Sequence, residues 1–364
     1  MAFFKKTQIT KAFSLLFALT LSVTALTGCG GNEEEPTTTL PPTTEPPTEI
    51  TTEPLNNTRN PLTGERGYNE ELLGNRPVMV VIENHPHSRP QWGLTSSDIV
   101  FEMVAEGGIT RMLLMYADAS RLPKKLGPIR STRHYFLDFA EGYDAIFTHF
   151  GQSTYAKTQL NEHDIDNING FVYPDDKYFS RDTSRDVASE HTAYTTKDKI
   201  VKAIKEKEYR TTLKDGYTEP FQFNLYENEI LKDGSCVVAT VKFSSNYKYT
   251  FNYDKQANVY YSHLNNEPFM DSNGTQQNFT NLVVLYTDIS AISGDTKNRV
   301  DFDLSYGHGV YISNGSYCDI NWEKGSSTDM LKLYDEDGEE LKLNVGRTYI
   351  AFCDTSCEKN NTME

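Results

Sequence analysis

The sequence predicts an α+β protein in two domains, an N-terminal α/β layered domain at residues 59–216 followed by a C-terminal mostly-β domain at residues 217–364. Three observations predict it. Apolar runs alternate with helical patterns up to about residue 210, and helical patterns vanish after Phe221. Arginine is uneven, with eleven of thirteen between Arg59 and Arg210. Charge divides at the same place: residues 59–216 hold 21 basic and 23 acidic side chains, whereas residues 217–364 hold 11 and 22.

The chain begins with an address. Residues 1–28 contain Lys5, Lys6 and Lys11 and no acid, and an apolar stretch from Phe13 to Leu26 follows. That pattern describes a secretory signal. Its ending, Leu26-Thr27-Gly28-Cys29, resembles the bacterial lipobox, which implies that Cys29 becomes the lipid-modified (palmitate-bearing) first residue of the mature chain. Several acyl chains on one cysteine hold a protein stably at a bilayer. Residues 29–58 carry six acids and no base, and Pro, Thr and Glu dominate them. Such a segment cannot bury enough surface to fold, so it reads as a disordered stalk on the extracytoplasmic face of the cell membrane.

In the first domain, Val78-Met79-Val80-Val81-Ile82 is a continuous apolar run, typical of a strand buried on both faces. Strands are also expected at residues 98–104 and 109–116, joined at Gly107-Gly108, and at Ala145-Ile146-Phe147. Ser131 is expected to cap a helix running to about Glu141. Ser153 should start a second helix, and Thr195 or Thr196 a third, with Ile200, Val201 and Ile204 at helical spacing.

The second domain reads as ten short strands, at residues 237–243, 247–253, 259–263, 282–286, 300–304, 310–312, 317–322, 330–334, 340–343 and 348–352. Asn273-Gly274, Asn314-Gly315 and Asp337-Gly338 supply turns. Asp335-Glu336-Asp337-Gly338 lacks the remaining ligand spacing of a calcium loop and reads as a hairpin turn. Four cysteines remain besides Cys29: Cys236, Cys318, Cys353 and Cys357. Outside the cytoplasm they can stay free or pair, and four allow three pairings. No zinc pattern, no His-x-x-x-His spacing and no cofactor motif stands out, so no metal or cofactor is expected.

Composition excludes several classes. A formal charge of −16 argues against a general nucleic-acid binder, which needs a basic surface. With 22 Tyr and 19 Phe the chain is too aromatic to be wholly disordered. A single apolar run excludes a multi-span membrane protein.

A family resemblance emerges from motifs in close order. They are Asn60-Pro61-Leu62-Thr63-Gly64, Glu83-Asn84-His85-Pro86, Arg89-Pro90-Gln91-Trp92-Gly93-Leu94, Asp98-Ile99-Val100-Phe101-Glu102, Glu106-Gly107-Gly108-Ile109-Thr110-Arg111 and Gly127-Pro128-Ile129-Arg130-Ser131-Thr132-Arg133. Gly307-His308-Gly309 and Trp322-Glu323-Lys324 extend the match into the second domain. Over roughly residues 59–355 the chain resembles the YerB-like family of bacterial lipoproteins, a two-part domain of unknown function. The resemblance implies a fold and an address and supplies no reaction. One departure is Ser189-Glu190-His191-Thr192, where Pro-His-Asn is the family's form.

For the site, Arg111, Arg130, Arg133, Arg181 and Arg185 are the candidate anion-binding residues, with His149 and His191 beside them. Guanidinium forms forked bonds to phosphate and carboxylate, and a helix start near Arg130 and Arg133 favours anions. The ordinary alternative is that these arginines pair with Glu102, Glu106, Asp138 or Asp182 and tie loops together. His149-Phe150-Gly151-Gln152-Ser153 places a strand-to-helix turn where α/β sheets bind ligands. The sequence leads first to a lipid-anchored envelope protein that binds an anionic cell-wall or lipid-phosphate ligand. A second reading is an enzyme. Thr110-Arg111-Met112-Leu113, Lys124-Lys125, Arg130 and Arg133 follow an order similar to the LytR-CpsA-Psr domain, whose arginines hold a polyprenyl pyrophosphate during glycopolymer transfer. Here Ser131 follows Arg130 and His134 follows Arg133, where that family has an Arg-Asp pair. A third reading is a non-enzymatic module for an envelope protein partner.

Overall fold

The structure, a computed structural model, describes residues 57–173, 176–225 and 229–364. The signal, Cys29 and most of the proposed stalk lie outside the described residues. In the first part, β1 (Val78–Glu83), β2 (Ile99–Val104), β3 (Thr110–Tyr116) and β4 (Ile146–His149) form where the apolar runs predict them. A short β5 (Asn167–Asn169) follows. Three helices accompany them: α1 (His134–Gly142), α2 (Thr154–Glu162) and α3 (Lys197–Glu206). Ser153 caps α2 and Thr196 caps α3, each accepting from a backbone N–H three residues on.

The start of α1 differs from expectation. Its first flanking residue is Arg133, with no side-chain cap. Ser131 is not free to begin a helix, because its neighbours are held extended: Ile129 bridges Ile82 and Thr132 bridges Gln152. The Ser131 hydroxyl instead donates to the Phe150 carbonyl.

The second part supplies β6 (Val238–Lys242), β7 (Lys248–Asp254), β8 (Val259–Leu264), β9 (Asn281–Thr287), β10 (Tyr306–Ser313), β11 (Ser316–Glu323), β12 (Lys332–Tyr334), β13 (Thr348–Asp354) and β14 (Thr362–Met363). Asn314-Gly315, both at positive φ, make the tight turn between β10 and β11. Gly307-His308-Gly309 lies inside β10 rather than in a turn. A Cβ on Gly307 would sit 2.7 Å from the Trp322 ring nitrogen, so strand packing accounts for that glycine. Asp335 accepts from the Asp337 and Glu339 amides, the bonding of a simple turn. Cys236, Cys318, Cys353 and Cys357 are all free thiols.

The two parts differ in element type yet share one sheet. Its order is β12-β11-β10-β9-β13-β2-β3-β1-β4-β5. β13 pairs in parallel with β9 on one side and with β2 on the other. A second sheet, with β8-β7-β6-β14 in order, covers one face of the central sheet together with α3. The opposite face is covered by α1, whose Tyr135, Phe136 and Phe139, with Tyr143 just after it, pack on Phe101, Met103 and Phe352. Among the described residues no helix is long and apolar enough to cross a membrane.

One carboxyl is buried where these layers meet. Glu102 of β2 accepts from Asn84 (3.0 Å), Thr110 and Tyr349 (2.9 Å), and Tyr249 of the second sheet closes the group through Asn84 (2.9 Å). Burial pushes the Glu102 carboxyl from 4.5 up to about 7, against the pull of its four hydrogen-bonding neighbours. The folded state therefore holds this proton more tightly than the unfolded chain. Its stabilising effect is complete below about pH 4.5 and is lost as pH rises through about 7. Glu102→Gln should flatten that decline by on the order of 3 kcal/mol. Urea unfolding of wild type and variant across this pH range measures it, and superimposable profiles would contradict a proton-holding Glu102.

Candidate functional site

The polar motifs converge at the carboxyl end of β1. Glu83 closes that strand and stands opposite Arg111 in the antiparallel register with β3, so the two side chains share a face. Asn84, one residue on, turns to the Glu102 cluster on the other face. The returning segment bridges β1 at Ile129 and just before it passes Trp92 at Gly127, which has φ +145 and whose Cβ would lie 2.8 Å from the Ala193 carbonyl. Only glycine permits that approach. Beyond it, the Arg130 amide donates to the Val81 carbonyl at 3.1 Å, which sets the Arg130 side chain beside Glu83.

The resulting network is shared between carboxylates. Arg130 Nε lies 3.1 Å from Glu83 Oε1, and its Nη2 lies 3.2 Å from the half-exposed Glu190. Arg133 makes a fork to Glu106, with Nε and Nη2 at 2.5 and 2.6 Å from its two oxygens. Arg111 reaches the same carboxylate less closely, at 3.7 Å, and donates to the Ser131 carbonyl at 2.6 Å. Burial tends to raise the Glu106 carboxyl, but Arg133 and Arg111 outweigh it and hold the group below its ordinary range. Burial, with Arg133 and Arg130 close by, pulls the Arg111 guanidinium down to about 9.

Three imidazoles stand on the other side of Glu83. A short helical turn at Pro86–Ser88 follows His85, whose Nδ1 accepts from the His87 amide at 3.2 Å. The hairpin formed by residues 180–181 and 193–194 brings His191 down onto Glu83, where its Nδ1 lies 3.0 Å from Oε2. The His85 and His191 rings stack at 4.5 Å between centroids, and His87 meets both edge-on. Burial and the neighbouring His191 lower the His85 imidazole below its ordinary value.

Of the residues expected to form an anion site, the structure brings together Arg111, Arg130, Arg133 and His191. The others lie apart. His149 is buried, with Nδ1 2.7 Å from the Gly151 carbonyl, and holds the turn after β4. Arg181 donates to the Ser189 carbonyl and covers the Phe150 ring. Arg185 donates to the Ser88 and Pro90 carbonyls at 2.8 and 2.6 Å, stacks over Trp92 and faces Asp182. It clamps the loop that carries His85 and His87. Among the carboxylates named as structural partners, Glu106 and Asp182 serve as expected. Glu102 takes no arginine, and Asp138 accepts from Gln159. The histidine trio is not legible as a cluster in the sequence, because its third member lies over a hundred residues from His85-Pro86-His87. The His-x-His spacing was the available signal.

Comparison with known proteins matches residues 62–210 to the model described as "Protein of unknown function (DUF3048) N-terminal domain", and residues 239–350 to the corresponding C-terminal domain. A relative named "Putative lipoprotein YerB", from Bacillus subtilis, is 31% identical over 294 residues, covering 80% of this chain and 84% of that protein. The crystal structure of YerB protein from Bacillus subtilis superposes with a TM-score of 0.71 at 31% identity, covering 81% of this chain and 96% of that one.

The shared position of Glu83 gives a test of the geometry. Glu83→Ala leaves Arg130 and the buried His191 without their common carboxylate, and should destabilise the fold by up to about 3 kcal/mol. A urea midpoint unchanged from wild type would show that the network contributes nothing to folding.

Proposed function

The chain belongs to the DUF3048 family, and we propose that this member is a lipid-anchored protein of the extracytoplasmic cell envelope that binds an anionic ligand where Arg111, Arg130 and Arg133 meet. The relative's name speaks of a lipoprotein, and the Leu26-Thr27-Gly28-Cys29 ending supports the same anchor here.

The observation that carries the ligand reading is an imbalance. It is one of hydrogen bonds rather than of charge: three guanidinium groups face Glu83, Glu106 and, through Arg130 alone, the half-exposed Glu190, and Glu83 and Glu106 are each already divided. Glu106 serves Arg133 closely and Arg111 at a distance, while Glu83 serves Arg130 and His191. Arg130 Nε is a buried donor without a hydrogen bond, despite its nearness to Glu83. Arg111 Nη2 stands 3.7 Å from Glu106, beyond hydrogen-bond reach. A phosphate or carboxylate group supplies the acceptors this arrangement lacks, in the planar geometry guanidinium prefers. Cell-wall polymers and lipid phosphates carry such groups at the membrane surface, within reach of a protein on a stalk.

Two experiments test the reading. Cys29→Ser should move the chain from the membrane fraction to the soluble fraction, and retention in the membrane would remove the lipid anchor. Titration of the full chain with pyrophosphate should show saturable binding. Arg111→Ala, and separately Arg130→Ala with Arg133→Ala, should weaken it at least about tenfold, near 1.4 kcal/mol. Absence of saturable binding, or equal binding by the variants, leaves the protein-interaction module as the better account.

A further inference from the structure

We propose that His85, His87 and His191 form a binding site for one divalent transition-metal ion, with Zn²⁺ the best match to the donor set, and that Glu83 is the outer partner that orients His191. The inference goes beyond the anion reading and uses different side chains, with Glu83 the point of contact between them.

Donor chemistry is the first argument. The candidate ligand atoms of the three side chains all lie within 4.8 Å of one another. Three neutral imidazoles suit Zn²⁺ and its neighbours in the first transition row, whereas Mg²⁺ and Ca²⁺ require oxygen ligands. Three histidines leave a fourth tetrahedral position for water or an anionic group, the pattern of zinc sites that are open to ligands.

Orientation is the second argument. Histidines that hold metals commonly donate their other N–H to a carboxylate, which fixes the tautomer and raises the basicity of the coordinating nitrogen. His191 has that arrangement: Nδ1 lies 3.0 Å from the buried Glu83 carboxylate, which leaves the lone pair on Nε2. Glu83 is itself fixed by Arg130, so the orienting group cannot swing away. Glu190 stands 3.7 Å from His191 Nε2 and adds negative charge on the ligand side.

The third argument concerns how the cluster is packed. The three rings pack against one another at 4.5 to 5.5 Å between centroids, so their nitrogens are gathered at one place. The nearby cations are accounted for: Arg130 is held between Glu83 and Glu190, and Arg89 is bound to the Asn84 side chain and backbone and lies over the Tyr247 ring.

Coordination requires a small rearrangement. Nitrogens around tetrahedral Zn²⁺ stand about 3.4 Å apart, given Zn–N bonds of 2.0–2.1 Å. The rings must therefore close by up to about 1.4 Å and turn out of the stack. The His87 side chain is exposed on a one-turn element, so its ring can turn without disturbing buried packing. For His85 to coordinate through Nε2 its proton must shift to Nδ1, which gives up only the weak 3.2 Å bond from the His87 amide.

The test is equilibrium dialysis of the full chain against Zn²⁺ in buffer free of phosphate and carboxylate, with Mg²⁺ as the control ion. Wild type should retain one Zn²⁺ per chain and no Mg²⁺, with a rise in unfolding temperature as Zn²⁺ is added. His87→Ala, at an exposed position that folding does not need, should weaken retention at least tenfold. His87→Cys, which restores a zinc donor, should recover it. His85→Ala combined with His87→Ala should abolish stoichiometric binding. Wild type without stoichiometric Zn²⁺, or a double variant that retains it, overturns the proposal. Because no anion is present, this outcome is separate from the pyrophosphate titration.

Discussion

The structure depends on β13 being accepted by strands from both halves of the chain. Residues 348–354 pair in parallel with β2 through Ile99–Met103 and with β9 through Asn281–Thr287. A strand so placed has neighbours on both edges and layers on both faces, which is why Tyr349, Ile350, Ala351, Phe352 and Cys353 are all buried. Remove that strand and the central sheet separates into two open-edged pieces, each presenting unpaired backbone. The N-terminal strands thus complete their sheet only when almost the last strand of the chain has formed. Contacts of such sequence separation are costly to close, and they join the two family parts in one sheet even though their compositions differ.

That joint structure is built around a division made at two adjacent residues. Asn84 directs its amide to Glu102, Thr110 and Tyr249, on the face covered by the second sheet. Glu83 directs its carboxylate to Arg130 and His191, on the other side of the strand end. Alternation of side chains along a strand makes this separation inevitable. One residue locks the second sheet onto the first, and its neighbour organises the charged site. The site is therefore rigid from beneath, since its carboxylate is carried by the same strand end that the Glu102 cluster immobilises.

Much of this was readable in the sequence, for reasons that also mark its limit. Val78–Ile82 is a continuous apolar run, and its burial on both faces follows from composition alone. Ser153 and Thr196 cap helices because a side-chain oxygen before a helical pattern is a local signal. Ser131 offered the same signal and failed, because a long-range bridge from Ile129 to Ile82 held its segment extended. Tertiary pairing overrode local preference there. The arginine cluster was legible as residue types crowded into a few motifs. Its partition was not, since the choice of Glu106 for Arg133 and Glu83 for Arg130 depends on how the β2–β3 turn and the strand end approach the segment 127–133. His191 was visible only as an isolated residue, because the contact that gives it meaning joins positions more than a hundred residues apart.

Glu83 also sets how the two proposed ligands would bear on each other. Its carboxylate is divided between Arg130, through Oε1, and His191, through Oε2. A cation at His191 Nε2 makes the Nδ1–H more acidic and strengthens its hydrogen bond to Glu83, drawing negative charge away from Arg130. Arg130 then has a greater need of an external anion. Conversely, an anion that satisfies Arg130 releases Glu83 to hold His191 in its coordinating tautomer. By linkage each ligand must raise the other's affinity by the same factor. Beyond the closing of the imidazole rings, the coupling would need only one buried carboxylate with two claims on it. The Arg130–Glu83–His191 chain thus provides a physical reason for the arginines and the histidines to stand at the same strand end.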